Sequence, residues 1–351
     1  MMEMEPKENN RSVFLDNVCG VLILYMIFFH YLGFLGIPRY DNPIVSFFSD
    51  TFSFFMSWFF FKNGMFFRQG NTKNTIWTST KRLLFPFFIC MLIGLIIEIC
   101  KALLNGCSIN YNFFRSLVFI VLNLNPLPSV GHIWFLMSLW VVRVCFSIFS
   151  KVGFHALSLA VISLLIAMGS NWLAYKSHYV IEFSLSSHFY SFDFPPMLGN
   201  IFHGMFCFAM GYFLKEKQYL TSVFICSVFL FLLRYVFVIH SDMRANSTTD
   251  PYYVFFVMYG LVGCIFINNI SKRFFNRKVS LLTYIGKNSM GFYLGHYTIM
   301  YVIFELFHWQ FNEMDVLPWS VLVVALFILI VMVSDLLYRG FVRCLIIVLK
   351  K

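Results

Sequence analysis

The chain has 351 residues, of which 60% are hydrophobic and only 12% charged. Water-soluble domains carry about 25% charged residues, so a soluble fold is excluded and the bilayer must be the solvent for most of the surface. The net charge is +10, but the basic residues sit in short loops between apolar runs, as topology signals do. That placement argues against nucleic acid as a partner. None of the nine cysteines forms a Cys-x-x-Cys pair and most lie inside apolar runs, so neither a disulfide framework nor a metal site is expected.

A hydrocarbon core takes about 20 apolar residues per helix. The pattern predicts an all-α polytopic membrane bundle of ten spans, near 13–35, 44–61, 83–104, 132–150, 154–173, 198–214, 219–239, 252–270, 285–307 and 316–338. The short apolar stretch 113–122 reads as an interfacial or re-entrant piece. The first run contains Asp16 and no small-residue cleavage site follows it, so it reads as a retained span rather than a signal peptide. One membrane domain is expected over residues 1–351, with no appended soluble domain. Alternate loops divide by charge. Lys62, Arg68, Lys73, Lys81, Arg82, Lys151, Lys215, Lys217, Lys272 and Arg273 fall on one side, and Arg39, Arg115, Lys176 and Arg244 on the other. The positive-inside rule then places both termini in the cytoplasm of a multi-pass cell-membrane protein.

Ionisable residues inside spans are costly and mark sites by default. In the first span Asp16, Ile23 and His30 recur every seven residues and share a face. At 1.5 Å per residue Asp16 and His30 lie ~21 Å apart along the axis and cannot touch. Asp16 also suits a helix N-terminus, where the dipole favours an acid. In the ninth span Ser289, Tyr293 and His296 stand at i, i+4 and i+7, one helical face, while Gly291 and Gly295 form a small-xxx-small face suited to close packing. His132 opens the fourth span at the outer surface, either as an ordinary interfacial residue or as a substrate-side polar group together with Tyr293 and Ser289. His203 is a lone helix histidine and reads as packing. Lys62, Lys81 and Arg82 are either topology determinants or a clamp for the phosphates of a cytosolic cofactor. No Walker or dinucleotide fingerprint names that cofactor.

The ordered pieces Asp16…Gly20…His30, Phe59-Phe-Phe-Lys-Asn-Gly64, Lys81-Arg-Leu-Leu-Phe-Pro86, Trp134-Phe-Leu, Phe208-Ala-Met-Gly211 and Ile285-Gly-Lys-Asn-Ser…Tyr293-Leu-Gly-His296 together resemble the acyltransferase family 3 membrane proteins. These are bacterial O-acyltransferases that modify cell-surface glycans. The resemblance implies that an acyl group, usually acetyl from cytosolic acetyl-CoA or another acyl-CoA, passes through the bundle. Its acceptor would be a hydroxyl of a polysaccharide or lipid-linked sugar, reached with or without a separate partner protein. It implies His30 as catalytic base or transient acyl carrier, with Asp16 and His296 in support, and Arg82, Lys81 and Lys62 toward the CoA phosphates. Cys19, Phe55 and Asn63 stand where the family usually has Arg or Lys, His, and Ser. Ten helices with buried polar groups also suit a transporter or export component for a glycan or small metabolite, although the chain shows no internal repeat of the kind many transporters carry.

Overall fold

The computed structural model describes residues 12–35, 43–106, 127–177, 180–185, 188–193, 196–237, 253–306, 325–337 and 339–340. In chain order these form α1 (Val13–Phe34), α2 (Pro43–Thr51), α3 (Phe55–Met65), α4 (Thr72–Ser79) and α5 (Phe85–Leu104). A 3-10 turn (Pro128–Ile133) leads into α6 (Trp134–Lys151), followed by α7 (Ala156–Ser177). Then come the strands β1 (Val180–Leu185) and β2 (His188–Asp193). The remaining helices are α8 (Pro196–Leu214), α9 (Thr221–Phe237), α10 (Tyr253–Phe274), α11 (Ser280–Lys287), α12 (Ser289–Tyr301) and α13 (Ala325–Leu337).

Among the described residues, four helical stretches are long and apolar enough to cross a bilayer: Val13–Phe34, Thr72–Leu104, Pro128–Lys151 and Tyr253–Phe274. Shorter apolar helices cover Ala156–Ser170, Asn200–Leu214, Thr221–Val236 and Ala325–Leu337. They fall within or overlap the predicted spans. The stretch 113–122 and the basic residues Lys7 and Arg11 lie outside the described residues.

The structure departs from the predicted spans in four places. Span 44–61 is divided into α2 and α3 by a turn at residues 52–54. A break inside the hydrocarbon leaves orphan carbonyls that need partners, and the bundle supplies them. Tyr25 donates its hydroxyl to Ser49 O at 2.9 Å, Arg234 donates to Asp50 O, and Tyr259 donates to Thr51 O at 3.2 Å. Span 285–307 is likewise divided at Asn288, whose side-chain amide donates to Tyr284 O at 2.9 Å and caps α11. The third span starts earlier than predicted, because α4 runs into α5 through a π-helical turn at Thr80–Leu84. Finally, the bundle is all-α as expected, and the loop between the fifth and sixth predicted spans carries one antiparallel hairpin, with Val180 opposite Asp193 and Leu185 opposite His188. Val180, Ile181, Phe189, Tyr190 and Phe192 favour extended backbone in what had read as a loop.

Two pairs of glycines set the tightest crossings. A side chain on Gly20 of α1 would overlap the backbone of Leu282, and one on Gly286 of α11 would overlap the backbone of Asp16. Gly64 of α3 and Gly211 of α8 stand in the same reciprocal relation, against Phe208 and Phe61. Backbones this close are what small residues permit in membrane bundles. The α1–α11 contact is sealed by Asn17, which donates to Phe275 O at 3.2 Å and Arg277 O at 2.8 Å and accepts from Thr283 Oγ1 at 2.7 Å. Overpacking costs roughly 1–3 kcal/mol even where side chains can yield, and here the obstacle is backbone. Gly286→Ala is therefore expected to lower the melting temperature of the detergent-solubilised protein by several degrees. An unchanged melting temperature would show that the two helices part freely.

Candidate functional site

Three histidines from distant parts of the chain meet inside the bundle. His30 comes from the last third of α1, His132 from the 3-10 turn before α6, and His296 from α12. The His296 ring lies 5.4 Å from the His30 ring and 5.1 Å from the His132 ring, centroid to centroid. Tyr297 closes the group, 5.1 Å from His30 and stacked on His132 at 5.2 Å. Tyr293 donates its hydroxyl to the His132 carbonyl. His132 and His296 are 3% and 0% exposed. His132 is therefore packed inside the bundle rather than open to solvent. The turn carrying it folds inward, because Ser129 is tied to α5 twice: its N–H donates to Glu98 Oε1 at 3.1 Å and its hydroxyl to Gly94 O at 3.2 Å.

His296 is held in one tautomer. Its Nδ1 lies 2.9 Å from both Phe292 O and Tyr293 O, and carbonyls only accept, so Nδ1 carries the proton. The lone pair is then on Nε2, which has no hydrogen-bond partner among the described residues. In the neutral ring this nitrogen is an acceptor with its lone pair unengaged.

A cavity of about 290 Å³ adjoins this cluster. Cys19 and Ile23 of α1 line it, with Phe59, Lys62 and Asn63 of α3 and Phe135 and Arg143 of α6. Ser79 and Arg82 at the α4–α5 junction and Ser289 and Tyr293 of α12 complete it. Tyr293 therefore belongs to the wall of the cavity and to the histidine group at once. Cys19 and Ile23 precede His30 on α1, so the cavity lies on the Asp16 side of the histidines, the end that the charge pattern assigns to the inside. Three cations line it, and no Asp or Glu is among its lining residues. Arg143 is braced by Ser79 Oγ at 3.1 Å and Asn63 Oδ1 at 3.3 Å, and Lys62 lies over the Trp58 ring at 5.0 Å.

The predicted site residues separate into three groups. His30, His132, His296 and Tyr293 come together. Ser289, Tyr293, Arg82 and Lys62 line the basic cavity. Lys81 and Asp16 do neither. Lys81 is exposed and rests over the Trp77 ring at 4.7 Å, while Asp16 is 2% exposed at the start of α1, its backbone packed on Gly286. His203 is buried beside Ser57, 3.4 Å from its hydroxyl. The residues at the three unusual positions also have places: Cys19 and Asn63 line the cavity, and Phe55 packs on Tyr25 at 5.4 Å and Phe29 at 6.2 Å.

Three residues escaped the sequence reading. Arg143 stands eleven residues after His132, about three helical turns and hence close to the same face, but nothing local sets it apart from the other basic residues. Tyr297 follows His296 directly and has no signal of its own. Glu98 is an acid in the middle of the third predicted span, which by the cost of burying charge marked it from the start. Among the described residues no group of three His, Cys, Asp or Glu is arranged to hold a metal ion.

Comparison with known proteins bears on the chemistry. The family model described as an acyltransferase domain, that of acyltransferase family 3, matches residues 12–339, nearly the whole chain. Searches of the curated proteins and of the solved structures give no match. The match begins at the foot of α1 and ends beyond α13, so it takes in every element that builds the cavity and the histidine group, and the chain belongs to acyltransferase family 3 as a membrane-embedded acyltransferase.

Proposed function

We propose that the protein is an O-acyltransferase of the cell membrane, transferring an acyl group, in the first instance acetyl, from a cytosolic acyl-CoA. The acceptor is a hydroxyl of a surface polysaccharide or lipid-linked glycan. The observation that carries this reading is the basic cavity without a carboxylate, leading through Tyr293 to a cluster of three histidines, two of them, His132 and His296, buried. Three cations gathered without an acid favour an anionic ligand, and Arg in particular matches phosphate oxygens with paired donors. At about 290 Å³ the cavity is at the small end for an enclosing site. It suits the narrow pantetheine arm of CoA, with phosphates at the cations and the thioester reaching toward Tyr293.

The transfer is written simply. The acceptor oxygen attacks the thioester carbonyl carbon, the new C–O bond forms and the C–S bond breaks. The hydroxyl proton passes to an imidazole nitrogen, and from there to the departing CoA thiolate. His296 Nε2 and the adjacent His30 are the bases in reach of each other. Tyr293 holds the His132 backbone, and so fixes the third wall of the group.

The test uses purified protein in liposomes with labelled acetyl-CoA and a mixture of lipid-linked and free glycans. Label is expected on a glycan, and its yield should follow the amount of folded protein. Movement of an unmodified glycan across the bilayer, with no acyl transfer from acetyl-CoA or longer acyl-CoAs, would overturn the reading in favour of a transporter.

A further inference from the structure

Acyl transfer needs more than a base. When an oxygen attacks a thioester, the carbonyl π pair moves onto the carbonyl oxygen, and a hydrogen-bond donor aimed at that oxygen is a main source of rate. The groups described so far leave this oxygen without an assigned partner. Lys62, Arg82 and Arg143 line the cavity that the proposed function gives to the donor phosphates. Tyr293 has already given its hydroxyl to the His132 carbonyl. His296 presents Nε2 as an acceptor, because two carbonyls hold its proton on Nδ1.

Tyr297 is placed to fill that gap. Ser289, Tyr293 and Tyr297 stand at i, i+4 and i+8 on α12 and share one face. The first two line the basic cavity. Tyr297 continues the same face one turn farther, ~6 Å along the axis, at the level of the imidazoles. Its ring meets all three of them, with centroids 5.1 Å from His30, 5.2 Å from His132 and 6.4 Å from His296. It stands perpendicular to His30, at 89°, and stacks on His132, at 29°. The phenol oxygen is the side-chain atom farthest from its own helix, so it lies out toward α1 and the 3-10 turn, where His30 and His132 enter. Phe34, the next ring along α1, is 5.1 Å away and offers no acceptor. Among the described residues nothing hydrogen-bonds the Tyr297 hydroxyl. Of the two tyrosines that touch the imidazoles, it is the one with a proton to offer.

We propose that Tyr297 is the oxyanion donor of the transfer, a catalytic residue whose O–H meets the carbonyl oxygen of the acyl thioester. This assignment rests on the acyltransferase reading and deepens it. As the new C–O bond forms, the C=O π pair moves onto the carbonyl oxygen, and the attacking hydroxyl gives its proton to an imidazole. Tyr297 hydrogen-bonds the charged oxygen and keeps its own proton. On collapse the pair returns, the C–S bond breaks, and the CoA thiolate takes the proton from the imidazolium. The same hydroxyl serves if a His30 nitrogen attacks first, because the charge develops on the same oxygen. A neutral donor suits this depth, where a permanent charge is costly to hold.

Two measurements on protein in liposomes test this. One follows transfer from labelled acetyl-CoA to the mixture of lipid-linked and free glycans. The other reads the carbonyl stretch of bound acetyl-CoA, isotope-labelled at the carbonyl carbon, by infrared difference spectroscopy. Tyr297→Phe keeps the ring among the imidazoles and removes the donor. It is expected to lower kcat by about 10²- to 10³-fold, the usual effect of deleting one oxyanion donor, with the KM for acetyl-CoA little changed. Para-aminophenylalanine placed at position 297 puts an N–H where the O–H was and should recover part of kcat. The carbonyl band should lie lower in the wild-type complex than in free acetyl-CoA, and return upward in Tyr297→Phe. A Tyr297→Phe enzyme with wild-type kcat would overturn the assignment. A loss of kcat with an unmoved carbonyl band would also overturn it, leaving the hydroxyl a packing contact. Should the variant fold poorly, the wild-type band decides alone, because a carbonyl no lower in frequency than that of free acetyl-CoA has no donor on it. Absence of transfer by the wild type from any acyl-CoA would instead count against the enzyme reading itself.

Discussion

Replacing His296 by alanine is expected to lower acyl transfer by about 10²- to 10⁴-fold, the usual contribution of a positioned general base, with the protein still folded in the membrane. The expectation comes from the geometry of one ring. Two backbone carbonyls on the same helix turn hold its Nδ1 proton, so Nε2 is committed as an acceptor before any substrate arrives. A side chain with such a fixed tautomer does not have to reorient during the reaction, and preorganisation of that kind is where enzymes gain most. His30→Ala should fall into the same range. The rings are 5.4 Å apart, close enough to act as a unit, and groups that act as a unit are strongly non-additive. The double variant is therefore expected to be little worse than the more damaging single one. Additive losses would mean that the two histidines work on separate steps. Label retained on wild-type protein incubated with acetyl-CoA but no acceptor, and absent in His30→Ala, would identify His30 as an acyl carrier with His296 as its base. A His296→Ala enzyme as active as wild type would remove His296 from the reaction altogether.

The sequence exposed the residues of the candidate site better than their arrangement. His30 and His296 stood out because an imidazole in hydrocarbon has to be justified, and that rule does not depend on knowing the fold. The face made by Ser289, Tyr293 and His296 was legible because all three sit within α12. The break at Asn288 comes before the first of them, so reading one long helix did no damage to their spacing. The division of the second span was not legible. Its cause is three donors from elsewhere in the chain, Tyr25, Arg234 and Tyr259, whose arrival at residues 49–51 no local pattern announces. The burial of His132 was illegible for a related reason. Its side chain goes inward because Ser129 finds Glu98, a contact across 31 residues through a segment with no periodicity of its own. Lys81 and Arg82 show the finest limit. They are adjacent basic residues with the same apparent role in the sequence, yet the π-helical turn they share sends one into the cavity and the other over Trp77.

That difference makes the basic cavity testable residue by residue. If the cations bind the phosphates of the donor, Arg143→Ala should raise the KM for acetyl-CoA by about 10- to 100-fold with kcat little changed. A hydrogen bond to a charged group contributes about 1.5–3 kcal/mol, and each 1.36 kcal/mol is a factor of ten. Arg82→Ala should behave alike. Arg143→Lys should recover only part of the loss, because an ammonium cannot hold both Ser79 and Asn63 while presenting two further donors to a phosphate. Lys81→Ala is expected to match wild type in KM, since its ammonium lies outside the cavity. Measured together, the four variants separate binding from topology. A charge that serves only to orient the chain would, when removed, reduce the amount of correctly inserted protein and leave the KM of the molecules that do insert unchanged. For Arg143 that pattern would leave it a structural brace between α3, α4 and α6. A rise in KM that shrinks as salt is added would make it a phosphate ligand, because added ions compete for the same oxygens.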